Sequence, residues 1–333
     1  MISGLRLRKS LILGLFLPAA SLMLANCTRP AEGRLKPAPN TFVAKLDGEL
    51  DRSIPKTAIV EKVASGFGFT EGPMWRDGRL WFSDLTGNKV LATTPDGKVD
   101  LLLDHGGGLP SITGFKGPNA MVTEPDGSVL LAQHGARRIV RLGKDMSGTP
   151  LITEYQGKKL NSPNDMVLGP DGALWFTDPP FGLDDQDKSP QKEQAFNGVY
   201  RYAGGTVTAM ITDMARPNGI AFSPDGKTLY VSNSAPDMHV RQYDVGPNGA
   251  LSNRRTFISY PGAPGDDVPD GLKVDQAGNV WSTGPGGIRI ISPAGKVLGQ
   301  IKLPEVAANL AWALGGESVY ITASTSIYRI RLR

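Results

Sequence analysis

LNSPNDMVLGPDGALWFTD, residues 160–178, holds three parts in a fixed order. Asn164 and Asp165 form a polar anchor. Met166-Val167-Leu168 follows, then the turn Pro170-Asp171-Gly172, then a β-prone run over 173–177 closed by Asp178. Apolar segments on both sides of a Pro-Asp-Gly turn predict a β-hairpin. The hairpin needs no carboxamide or carboxylate in front of it, so the anchor asks for a separate reason.

The pattern recurs. Glu71-Gly72-Pro73-Met74 leads through Asp77-Gly78 to LWFSD, and Asn119-Ala120-Met121-Val122 leads through Pro125-Asp126-Gly127 to SVLLAQ. Further on, Asn218-Gly219-Ile220-Ala221 precedes Pro224-Asp225-Gly226 and KTLYVSN, and Asp270-Gly271-Leu272 precedes Gly278 and NVWST. The last copy runs from Asn309-Leu310-Ala311-Trp312 through Gly315-Gly316 to ESVYITA. The anchors Glu71, Asn119, Asn164, Asn218, Asp270 and Asn309 stand 39 to 54 residues apart. Units of this length, made only of strands and turns, match four-stranded propeller blades. The expectation is an all-β, six-bladed β-propeller over residues 56–333. Strand-like stretches at 57–63 and 326–332 would share one blade and close the ring, leaving no free sheet edge.

Composition agrees. In 333 residues, 41 Gly and 26 Pro are spread throughout, which suits many short strands joined by turns. The first 27 residues read as an export signal: Arg6, Arg8 and Lys9 precede an uncharged apolar run over 11–24. Leu24-Ala25-Asn26-Cys27 resembles a bacterial lipoprotein box, which would put a lipid on Cys27 and the protein in the periplasm or anchored to the outer membrane. Residues 28–55 are polar and Pro-bearing and are expected to form a tether. Cys27 is the only cysteine, so the sequence offers no disulfide framework and no Cys-based zinc site. The net charge of +4 includes Arg6, Arg8 and Lys9, and falls to +1 once they are removed. That excludes nucleic acid as an expected partner and leaves the lipid on Cys27 as the sole expected membrane link.

Equivalent positions in a closed ring of blades form a circle about the axis, so the six anchors are expected to converge at one mouth of the central channel. Oxygen donors without His or Cys describe a hard-cation site, and Ca²⁺ takes roughly six to eight such oxygens. Glu71 and Asp270 would balance one divalent ion. Zn²⁺ or Mn²⁺ are the alternatives. Asn218-Gly219 and Asp270-Gly271 are also turn signals in their own right. Glu71-Gly72, Asn119-Ala120 and Asn164-Asp165 lack that turn chemistry yet keep the same offset from the hairpin.

Glu-Gly-Pro, Ser-Pro-Asn-Asp, Pro-Asn-Gly and Pro-Asp-Gly in this order resemble the gluconolactonase/senescence-marker-protein (regucalcin) family, in its bacterial branch. The resemblance covers about residues 56–333. It implies a six-bladed propeller that hydrolyses lactones with a divalent metal in the channel. By the same resemblance Glu71, Asn218 and Asp270 match metal ligands, and Asn164 matches an Asn beside the metal, as ligand or substrate contact. Asp165 and Asn119 match positions facing the substrate. Ser162 stands where animal members carry a basic residue that touches the sugar.

Asp270 is then the expected general base for water attack on a small-molecule lactone or ester. His134, at the end of the second hairpin, could reach the same mouth and shuttle protons; a histidine hydrogen-bonded at a strand end is the plainer alternative. No Gly-x-Ser-x-Gly elbow occurs, which speaks against a serine nucleophile. Competing readings are a paraoxonase-like arylesterase and a non-enzymatic ligand-binding propeller. The polar stretch 179–197 is long for a blade connection and is expected to cover the mouth.

Overall fold

Each Pro-Asp-Gly turn does what its residues require. Gly127, Gly172 and Gly226 adopt positive φ of 85°, 76° and 69°, and their N–H groups donate to Glu124, Gly169 and Ser223 carbonyls at 2.9 Å. The turn Asp side chains accept the N–H just ahead of the next strand, as Asp171 does from Ala173 at 3.2 Å. These turns join the two innermost strands of their blades.

The computed structural model describes residues 35–262 and 267–332. Among the described residues, six antiparallel blade sheets follow one another along the chain, with a two-stranded hairpin of Glu154–Tyr155 and Lys158–Lys159 between the second and third. Blade I runs from Thr70–Arg76 to Val99–Asp104, and blade II from Pro118–Thr123 to Gly148–Ile152. Blade III spans Met166–Leu168 to Thr206–Met214, and blade IV spans Pro217–Phe222 to Leu251–Ser259. Blade V spans Leu272–Val274 to Val297–Lys302. Blade VI combines Ala307–Trp312, Ser318–Ala323 and Ser326–Arg331 with the early strand Val60–Ser65. The six-bladed propeller is therefore present, and the ring closes as expected, with Val60 opposite Ile330 and Ser65 opposite Ser326.

A buried ion pair locks that closure. Glu61 of the early strand receives Nε and Nη2 of Arg329 at 2.9 and 2.8 Å, and both residues are almost wholly buried. Between blades the core is apolar and aromatic. Trp175 and Trp281 are fully buried, Trp75 stacks on Tyr320 at 5.2 Å across the I–VI seam, and Trp312 meets Trp281 edge-on at 5.7 Å. Trp75, Trp281 and Trp312 thus pack across the seams between blades.

The reading of 28–55 as a tether needs correction from Leu35 onward. Phe42–Lys45 pairs with Val297–Lys302 as a fifth strand on blade V. A 3-10 turn over Gly48–Arg52 follows, and Leu50 and Ile54 are 2% exposed in the core. Pro and charge density signalled a linker, but two apolar side chains found a sheet edge to cover. The expected leader and Cys27 lie outside the described residues.

Candidate active site

The anchors sit at the start of the innermost strands, and ring contacts fix their height. In blades I, III and IV, a hydroxyl on the second strand reaches to the next blade's anchor. Ser83 and Thr177 donate to the carbonyls of Asn119 and Asn218 at 2.7 Å, and Ser232 to that of Asp270 at 2.6 Å. Backbone links add to this, from Ala120 N to Asn164 O at 3.2 Å and from Gly219 N to Asp270 O at 3.1 Å. The glycine after an anchor is there for close approach. A β-carbon on Gly72 would collide with the Asn119 backbone, and one on Gly271 with the Asn309 side chain. Asn-Gly and Asp-Gly here serve packing between blades.

Glu71, Asn218 and Asp270 come together as expected. Asp270 faces both Asn218 and Glu71. Glu71 is 2% exposed, whereas Asp270 is only partly buried and so forms the open side of the pair. Burial, together with the nearby Asp165 charge, pushes Glu71 up to about 7. Asp270 is raised well above the usual carboxylate range by burial and by Glu71 and Asp165. Repulsion between two such carboxylates is relieved by a shared proton or by a cation between them. Asn218 donates its Nδ2 to Ser234 Oγ at 3.1 Å, which leaves its buried Oδ1 without a partner. That orphaned oxygen beside two carboxylates fits a hard divalent ion. Among the described residues no three His, Cys, Asp or Glu side chains gather as a metal cage by themselves. Amide oxygens must complete the set, and Asn164, 4% exposed at the same mouth, is the next candidate.

Two residues of the anchor set behave differently from the sequence reading. Asn309 turns its oxygen away: Oδ1 accepts from Leu310 N at 2.9 Å and Lys273 Nζ at 3.1 Å, and Nδ2 donates to Glu71 at 3.2 Å. It braces Glu71 and offers no oxygen to an ion, so the ring of six donors is not complete. Asp165, expected to face substrate, is engaged by the protein. Its Oδ1 accepts from Met166 N at 2.9 Å, and its Oδ2 from Lys273 Nζ at 3.1 Å and Ile220 N at 3.3 Å. His134 takes the plainer of its two readings, a histidine hydrogen-bonded at a strand end, and is 1% exposed with both nitrogens occupied. Nδ1 lies 3.1 Å from Phe115 O and so carries the proton, and Nε2 then accepts from Asn119 Nδ2 at 3.0 Å. Burial pushes its pKa down to about 4, so the ring is neutral. Its effect is to fix the Asn119 amide with a buried, unpartnered Oδ1.

Lys273 is the residue that sequence reading passed over. It is the only charged side chain three places after an anchor, which was the available signal. Ser162 anchors the start of the 179–197 loop. Its Oγ accepts from Gly182 N at 2.9 Å and donates to Pro179 O. Asn161 holds both ends of that loop through the carbonyls of Asp178 and Phe196 at 3.0 Å. Lys116 pairs with Asp184 at 2.7 Å, and the Arg216 guanidinium lies 5.9 Å from the Phe181 ring. These loops border an open depression of about 640 Å³ lined by Phe115, Lys116, Phe181 and Arg216, and none of the six anchors lines it.

Fold and site together define a six-bladed β-propeller with an acid-and-amide centre at one channel mouth. The family model described as SMP-30/Gluconolactonase/LRE-like region matches residues 69–325, and the chain belongs to that family. A gluconolactonase of Zymomonas mobilis is 35% identical over 309 residues, covering 88% of this chain and 85% of that one. A pentonolactonase of Haloferax volcanii is 27% identical, covering 76% of this chain and 81% of its own length. A solved gluconolactonase of Xanthomonas campestris superimposes with a TM-score of 0.79 at 33% identity, covering 92% of this chain and 99% of that one.

Proposed function

We propose that the chain hydrolyses lactones, opening the ring of a sugar-type lactone with the help of one divalent cation. The observation that carries this reading is the pair Glu71 and Asp270 beside the unpartnered Asn218 oxygen, at the mouth of the channel. The lactonase relatives support the same reaction class. Glu71, Asn218 and Asp270, with Asn164, would hold the ion; Ca²⁺ suits oxygen-only donors, with Zn²⁺ and Mn²⁺ as alternatives. When bound, it supplies Lewis acidity toward the substrate carbonyl.

The side chains do the rest. Asp270, the more exposed carboxylate, takes the proton of a water as its oxygen attacks the carbonyl carbon. The ring C–O bond then breaks, and the same proton passes to the departing ring oxygen, giving a hydroxy acid. Asn119 Oδ1, fixed by His134, accepts a hydroxyl of the substrate. The 179–197 loop limits water at the mouth.

The test is a panel of aldonolactones, acyl lactones and aryl esters followed by proton release, with chelator and then with Ca²⁺, Mn²⁺ or Zn²⁺ restored. Lactone turnover that chelator stops and one ion restores is expected. Full turnover in chelator removes the metal, and turnover of aryl esters alone replaces the substrate class. Export, with Cys27 as the lipid-bearing N-terminus, is proposed from the leader pattern alone.

A further inference from the structure

Lys273 stands between two features of the channel that the reaction does not use. Its ammonium is 3.1 Å from Asp165 Oδ2 on blade III and 3.1 Å from Asn309 Oδ1 on blade VI, while its own strand belongs to blade V. The side chain is 24% exposed and that of Asp165 5%, so solvent screens the pair poorly. Asn309 passes the contact on, because an amide whose oxygen faces Lys273 must present its NH₂ to Glu71. Asp165 itself lies close enough to Glu71 and Asp270 to repel both. Its charge therefore belongs to the site although its oxygens do not bind there.

We propose that the Asp165–Lys273 pair sets the net charge of the centre, with Lys273 offsetting one carboxylate and so limiting its affinity for a divalent ion. Three carboxylates and one ammonium leave two net negative charges, matched to one divalent ion. Without Lys273 the centre would hold three negative charges. Without the Asp165 charge, the ammonium would face Glu71 and Asp270 uncompensated and oppose a cation.

The inference rests on the metal reading above, and the experiment separates the two. Calorimetric titration of the full chain with Ca²⁺ and Mn²⁺ is run for wild type, Asp165→Asn, Lys273→Met and the double variant, with melting temperature recorded for each. Asp165→Asn is expected to weaken ion binding about tenfold or more, and Lys273→Met to tighten it by a similar factor. The double variant is expected to return near wild type. A merely structural pair would weaken binding in both single variants. Should Lys273→Met not fold, Asp165→Asn and the double variant still decide the matter, since only a charge role makes the double the tighter binder of the two. Equal affinity across all soluble variants overturns the role of the pair while leaving the metal in place. A wild-type chain that binds no divalent ion overturns both.

Discussion

Glu71 and Asp270 repel each other where they meet, and that charge is costly to hold without a counter-charge. Asp270→Asn keeps the shape of the mouth but removes the proton acceptor; turnover is expected to fall about 10²-fold or more. Its melting temperature should stay within a few degrees of wild type, so that full activity in a folded variant would take Asp270 out of the reaction. His134 offers a different check. The imidazole titrates near 6.5 in the unfolded chain and is pushed to about 4 by burial in the fold. Its contribution to stability is complete above 6.5 and is lost as pH falls through that window, by up to about 3 kcal/mol. His134→Gln should flatten this acid limb in melting temperature against pH, and an unchanged limb would assign it to other groups. The acidic and amide anchors were legible as a set because one register repeated six times. Amide orientation was not. Whether Asn309 offers oxygen or NH₂ depends on Lys273, which is distant in sequence and belongs to another blade.

At the scale of single elements, the innermost strands work only because neighbours come very close at the anchor glycines. Gly271→Ala would press a methyl into Asn309, the residue that braces Glu71. Loss of divalent-ion binding with a modest drop in melting temperature is expected, and calorimetry decides it. The Ser83, Thr177 and Ser232 hydroxyls sit at one position of the second strand in blades I, III and IV, so a repeat alignment alone could have found them. Their partners could not be found that way, because a hydroxyl in one blade says nothing about which carbonyl lies beside it. The ring closure rests on Glu61 with Arg329. Glu61→Ala leaves a buried guanidinium short of its counter-charge, at a cost of about 3–5 kcal/mol, measurable by denaturant unfolding. An unchanged midpoint would place the strength of closure in the apolar side chains instead.

Across the molecule, six blades close into a ring with a shared first and last sheet, and a strap over 35–55 covers the outer strand of blade V. Removing residues 28–55 should uncover the edge of Val297–Lys302 and empty the places of Leu50 and Ile54. A lower melting temperature and self-association in light scattering are expected; an equally stable monomer would make the strap dispensable. The strap was read as a tether because its composition is that of a linker, and the exposed edge that recruits it is made by residues some 250 positions later.

The sequence by itself determined the all-β ring, its six units, the closing blade, and the circle of anchors at one mouth. Those follow from local spacing, turn chemistry and repetition, which each segment carries within itself. Tertiary structure alone decided which anchor atoms turn inward, that Asp165 meets an ammonium, and that His134 spends both nitrogens on the protein. Such outcomes depend on hydrogen bonds between blades, and a hydrogen bond has direction that residue type does not specify.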